Sequence, residues 1–196
     1  MKDKRITKLT TLAETKFLSL FNAEYKNKKG ATKHWTIASR KSLEILKEQY
    51  FQDRKEKVDA VVMNAIHKES KKLVLIKQFR VPLNDFIYEL PAGLIDSNES
   101  IESAVARELK EETGLSLLEI DEEKTRNIAY VSPGMTDESL ALVYCSCTGE
   151  ITSKYLEENE DIEAMLISRS EAEELLKKDV KMDIKAYMAL LSFINC

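Results

Sequence analysis

The residues with the clearest chemical potential lie in Arg107-Glu108-Leu109-Lys110-Glu111-Glu112. Three carboxylates here fall within two turns of a predicted helix, where like charges three and four residues apart repel and call for a compensating cation. At 3.6 residues per turn Glu108 and Glu112 stack on one edge with Glu111 beside them, so all three can converge on one ion. Oxygen donors alone favour a hard divalent cation, Mg²⁺ or Mn²⁺. The helix is predicted from an apolar stripe, Ile101, Ala104, Val105 and Leu109, with Ser100 placed to cap its start and Gly114 to end it.

The chain around this stretch has 196 residues, enough for one domain with an appended arm and a sizeable core. A net charge of −4, part of it in the carboxylate cluster, does not suggest a nucleic-acid surface and points to a small-molecule ligand. Cys145 and Cys147 are two apart on one face of a predicted strand. With neither His nor further Cys nearby, they and Cys196 read as reduced thiols of a cytoplasmic protein rather than zinc ligands. The basic N-terminus lacks an apolar signal core, and no run approaches the ~18 apolar residues of a membrane span. His34 and His67 lie among polar residues and read as surface side chains.

Along the chain, residues 1–13 read as a loosely held polar lead-in. Phe17, Leu18, Leu20, Phe21 and Tyr25, then Trp35, Ile37 and Ser39 beyond Lys28-Lys29-Gly30, predict a β-hairpin. Residues 42–52 fit helix or loop, since Leu43, Ile45 and Leu46 match neither period cleanly. Strands are predicted at 58–63, 73–76, 127–131, 140–147 and 162–167. Ser170 to Glu173 has capping-box spacing and opens a helix, and Asp183 caps a final one.

Gly93, five residues, Glu99, seven residues, Arg107-Glu108-Leu109, one residue, Glu111-Glu112, one residue, Gly114-Leu115 resembles the complete box of the Nudix hydrolases without departure. A solvated, charge-rich helix explains neither the glycines nor the spacing. The resemblance implies an α/β fold (α+β), a Nudix α/β/α sandwich with a mixed β-sheet. It carries an N-terminal β-hairpin arm over 1–50, for dimerisation and substrate contact, ahead of a hydrolase domain over 51–196. Leu75 to Arg80, Tyr88 to Asp96 and Ser132 to Glu138 are similar to the flanks of the box in the ADP-ribose or ADP-sugar pyrophosphatase branch.

That branch implies a homodimer whose N-terminal strands cross to the partner. It also implies roles for single residues. The Ala92 carbonyl, Glu108 and Glu112, with Glu111 nearby, hold divalent ions, and Arg107 orients the carboxylates. Arg80 and Glu89 approach the substrate, while Gly134 and Met135 border its terminal ribose. The base that deprotonates water comes from a late loop, matched here by Glu157 to Asp161. Glu160 is the choice, with Glu158 and Asp161 as alternatives and a solvated loop charge as the competing reading. Trp35, the only tryptophan, either stacks on adenine or packs in the core or a dimer interface; Arg40 can reach phosphates or ribose.

The implied reaction is divalent-metal-dependent hydrolysis of the pyrophosphate bond of ADP-ribose, giving AMP and ribose 5-phosphate, or of a related nucleoside diphosphate sugar. Alternatives are a GDP-sugar, a dinucleotide, or a non-catalytic ADP-ribose-binding regulatory module. A sensor has no need of the mutually repelling Glu108, Glu111 and Glu112.

Overall fold

The computed structural model describes residues 4–195, so Cys196 and the first three residues of the expected lead-in lie outside the described residues. The chain forms two compact units. One comprises the chain up to Asp59 together with Tyr130–Leu140, and the other comprises Ala60–Ala129 and the chain from Ala141 onward.

In the first unit β1 (Ile6–Glu14), β2 (Ser19–Lys26) and β3 (Thr32–Ser39) form an antiparallel sheet in that order, followed by helix α1 (Leu43–Phe51). The expected hairpin is present as β2 and β3. Its turn is closed by the Asn27 side chain, which accepts from the amides of Lys29 and Ala31, and by Gly30 in the left-handed region. The lead-in expectation is corrected from Ile6 onward, because β1 pairs along β2. Its sequence, ITKLTTLAE, buries only Leu9 fully, so the strand carries little apolar signal beyond its threonines. The 42–52 ambiguity resolves as a helix. Leu43, Leu46 and Tyr50 lie on one helical face against the Leu9, Phe21 and Ala23 core, and the Ser42 hydroxyl accepts from the Ile45 amide.

The second unit is built on a sheet of β4 (Ala60–His67), β5 (Leu73–Arg80), β6 (Asp85–Glu89), β7 (Ala92–Leu94), β8 (Ser116–Ile120), β9 (Arg126–Tyr130), β10 (Ser139–Thr148) and β11 (Ile162–Ile167). Its main path runs β11-β5-β4-β10-β8, with β6 on β5, β7 on β4 and β9 on β10. β4 lies alongside β10 in parallel, since Asp59 N–H donates to the Ser139 carbonyl and, further along both strands, Lys68 N–H to that of Cys147. The β5/β11, β5/β6, β4/β7 and β8/β10 pairs are antiparallel, which makes the sheet mixed. Central β4 is buried at nearly every position, as a strand covered on both faces must be.

Helix α2 (Ile101–Thr113) packs on β4, β7, β8 and β11 through the predicted stripe, with Ala104, Val105 and Leu109 fully buried. Ser100 caps it by accepting from the Ser103 amide, and Gly114 ends it in the left-handed region. Two expectations are corrected here. Helix α3 (Arg169–Leu176) is opened by a capping box of Ser168 and Glu171 rather than Ser170 and Glu173, because β11 ends at Ile167 and leaves Ser168 extended. His67 is buried, its ring bridging Ser70 Oγ and the Gly149 carbonyl, whereas His34 is exposed as expected. Asp183 does cap helix α4 (Ile184–Asn195), its carboxylate accepting from the Lys185 amide. Among the described residues no helix is long and apolar enough to cross a membrane.

Candidate active site

Strand β7 lays Ala92 and Gly93 beside Val62 and Val61 of β4, under the face of α2 that carries the glutamates. Gly93 is needed there for space rather than for its backbone angles. A Cβ at this position would stand 1.8 Å from Glu108 Cδ and 2.0 and 2.1 Å from its two carboxylate oxygens. The Glu108 carboxylate therefore rests directly on the strand.

Arg107 ties the box together with both faces of its guanidinium fork. Nε and Nη2 donate to the two oxygens of Glu99 at 3.0 and 2.8 Å, Nη1 donates to Glu108 at 2.7 Å and Glu111 at 3.1 Å, and Nη2 also reaches the Leu94 carbonyl at 2.9 Å. Glu99 in turn accepts from the Asp96 amide, fixing the loop that enters α2. Hydrogen bonding to Glu99, then to Glu108 and Glu111, holds the Arg107 pKa above its ordinary value. The sequence explains this cluster, since positions 107, 108 and 111 share neighbouring turns of one helix.

Glu112 is 4% exposed and turns to the Ala92 amide, accepting at 2.9 Å. Burial pushes its pKa up to about 8, with the charges of Glu108 and Glu160 adding to the effect. Burial also raises Glu108, against the opposing pull of Arg107 and with Glu111 and Glu160 again adding. Glu160 is thus the member of the late acidic loop whose charge is felt at both. Its carboxylate accepts from the Glu157 amide at 2.9 Å.

On β5 and β6, Arg80 and Glu89 form a two-point ion pair, Nε to Oε1 at 2.7 Å and Nη2 to Oε2 at 2.8 Å. Glu89 first, then Glu112 and Asp183, raise the Arg80 pKa. Asp183 contributes to this field as well as capping α4, a role its local sequence does not signal.

Among the described residues no three acid, histidine or cysteine side chains are gathered as a metal-holding group. Glu108 and Glu111 lean on Arg107, and Glu112 leans on a backbone amide. Their chemistry nonetheless fits a hard divalent ion: the donors are oxygens, and two are carboxylates raised by burial, Glu108 sharing the one Arg107 with Glu99 and Glu111, and Glu112 hydrogen-bonded to a backbone amide.

In the first unit, residues read separately in the sequence come together. Trp35 donates its indole N–H to the Gly134 carbonyl at 3.1 Å, and Ala38 N–H donates to the Met135 carbonyl at 3.0 Å. A groove of about 290 Å³ is lined by Trp35, Ile37, Tyr50, Tyr130, Pro133 and Met135 among others. Trp35 is 54% exposed, which removes the reading that buries it in this unit's core. Tyr50 and Tyr130 have no local signal and were missed. Arg40 pairs with Glu138 at 2.7 Å, and Lys41 sits between Asp59 and Asp137 at 3.1 and 2.9 Å.

Residues 54–190 match the NUDIX domain family model. The chain is 38% identical over 103 residues to a nudix hydrolase of Caenorhabditis elegans, a match covering 50% of this chain and 45% of that one. It is 31% identical over 184 residues to an ADP-ribose pyrophosphatase of Saccharomyces cerevisiae, covering 89% of this chain and 73% of the other. A solved ADP compounds hydrolase superposes with a TM-score of 0.68 at 20% identity, over 97% of this chain and 91% of that one, and so shares the fold. With the family model spanning most of the chain, and the spacing from Gly93 to Glu112 accounted for contact by contact, the chain belongs to the Nudix hydrolases.

Proposed function

We propose that this enzyme hydrolyses the pyrophosphate bond of ADP-ribose, or of a closely related nucleoside diphosphate sugar, releasing AMP and a sugar phosphate with Mg²⁺ as its metal. The observation that carries the chemistry is the convergence of charge from Glu108, Glu112 and Glu160, two of them buried with raised pKa values. The substrate is supported by the likeness to the yeast ADP-ribose pyrophosphatase over most of both chains.

Nudix hydrolases work with a divalent metal ion, and Glu108, Glu111, Glu112 and the Ala92 carbonyl would hold it here; Mn²⁺ suits the same donors. When bound, the ion neutralises pyrophosphate oxygens and acidifies water. Arg107 keeps Glu108 and Glu111 oriented through its fork. Arg80, gripped by Glu89 through Nε and Nη2, makes no hydrogen bond from Nη1 among the described residues, which leaves that nitrogen for a phosphate oxygen. Glu160 accepts the proton of the attacking water, since the box glutamates would be committed to the metal. The groove of Trp35 takes the flat base, Gly134 and Met135 border the terminal ribose, and Arg40 reaches ribose or phosphate.

The same reading includes a homodimer through the N-terminal sheet, supported by the exposure of Leu12, Phe17, Leu18 and Leu20 there. Light scattering should return twice the chain mass. Cys145 and Cys147 are free and buried, with thiol pKa values pushed up to about 12 by burial, and they suit a reducing cytoplasmic setting.

The test is product release from a panel of nucleoside diphosphate derivatives with Mg²⁺. Fastest turnover of ADP-ribose to AMP and ribose 5-phosphate is expected. Preference for a GDP-sugar or a dinucleotide would reassign the substrate, and tight ADP-ribose binding without any product would make the protein a regulatory module.

A further inference from the structure

A second concavity, of about 460 Å³, opens on the sheet of the second unit and shares no residue with the carboxylate site. Its floor is β4 and β10. Asn64 and Ile66 are two apart on β4 and Tyr144 and Ser146 two apart on β10, so each pair faces one way. Its wall is β8 and the turn that follows, because Glu119 pairs with Ser146 and the Asp121 amide donates to the Tyr144 carbonyl.

Asp121 is committed within that wall: its carboxylate accepts from the Lys124 backbone amide and pairs with the Lys124 ammonium at 2.8 Å. Glu119, Glu122 and Glu123 are exposed and their carboxylates make no hydrogen bond or ion pair among the described residues. An acidic rim alone is the usual solvated surface. Asn64 sets this one apart. It is only 8% exposed, lines the groove, and its carboxamide has no hydrogen-bond partner among the described residues. Its amide atoms are not among the buried atoms left without a partner, so what remains accessible of this side chain opens on the groove, where it can meet a partner that enters.

The partner's chemistry follows from what surrounds the amide. The acids are spread along the wall rather than gathered, and among the described residues no three form a metal-holding group, so the charge suits an extended cation rather than a metal ion. Ile66, Ile120 and the Tyr144 ring supply an apolar track between the acids and Asn64. We propose that this groove binds an aliphatic diamine or polyamine. Its ammonium ends meet Glu119 and the Glu122-Glu123 pair, its methylenes lie on the apolar track, and one N–H donates to Asn64 Oδ1.

The probe is spermidine, titrated into the isotopically labelled full chain at saturating Mg²⁺ while the Asn64 side-chain amide and the backbone amides of 119–124 are followed by NMR. Saturable shifts at Asn64 and along the turn are expected. They should weaken at least about fivefold in affinity in the exposed double variant Glu122→Gln/Glu123→Gln, as expected for losing two partly screened ion pairs. A neutral diol of the same length should leave Asn64 unmoved. The proposal is overturned if millimolar spermidine leaves the Asn64 amide unshifted, if the shifts centre on Glu108 to Glu112, or if the double variant binds as tightly as the parent.

Discussion

The carboxylate site and the aromatic groove are held together over very different distances along the chain. In the first, Arg107 reaches Glu111 four residues away, Glu99 eight away and Leu94 thirteen away, and Glu112 meets Ala92 twenty away. In the second, Trp35 meets Gly134 across 99 residues, Arg40 meets Glu138 across 98 and Lys41 meets Asp137 across 96. A helix repeats its geometry every turn, so contacts along α2 and its lead-in strand can be written as fixed spacing. Contacts between distant strands and loops leave no such mark. The proposed chemical step belongs to the locally coded site, and the proposed affinity for the nucleotide to the groove.

Substitutions can break that division, and the largest effect is expected at Glu160. Glu160→Gln should lower kcat by about 10² to 10⁴ with KM little changed, the usual worth of general-base help, and Glu158→Gln should do far less. Steady-state kinetics on both variants decides this, since equal losses would mean that loop charge rather than one base matters. Gly93→Ala comes next. Its methyl would occupy the place of the Glu108 carboxylate, which must swing away, so kcat should fall by about 10² to 10³ while the melting temperature stays close to that of the parent. Full activity would show that Glu108 need not lie on the strand.

Trp35→Ala should act on the other side of the comparison, raising KM for ADP-ribose by about tenfold, the worth of a lost base stack, with kcat nearly unchanged. A loss confined to kcat would place Trp35 in the chemistry. The smallest effect belongs to another local device, the capping box of α3. Hydrogen bonds from the Ser168 hydroxyl and amide, with Lys72 helping, hold exposed Glu171 down at about 2 from 4.5. A depressed folded-state pKa stabilises above the unfolded value and is lost as pH falls through the folded one. The melting-temperature gap between the parent and Glu171→Gln should therefore be constant above pH 4.5 and shrink as pH falls toward 2.

What could be read in the sequence follows the same division. The limits of α2, its caps, its buried stripe and the gathering of Arg107 with the glutamates all rest on helical period, and the structure places them accordingly. The reason for Gly93 was not legible, because it lies in a side chain fifteen residues later folding back onto the strand. Strand β1 was missed since its polar alternation resembles a loose tail. Strand β8 was missed because five residues after a helix give too short a pattern. Ser168 and Ser170 both offer capping spacing, and only the end of β11 selects between them. Tyr50 and Tyr130 join Trp35 through pairing of distant segments, and Asn64 stands out only once the groove that it lines is known.

The central claim, that the box glutamates supply the metal-holding charge for the chemical step, is tested most directly at Glu112. Glu112→Gln removes a buried charge with almost no change in volume, and its kcat on ADP-ribose at saturating Mg²⁺ is the quantity to measure. A fall of about 10² to 10³ in a variant that melts no lower than the parent is the predicted result. Turnover close to that of the parent under the same conditions would contradict the claim.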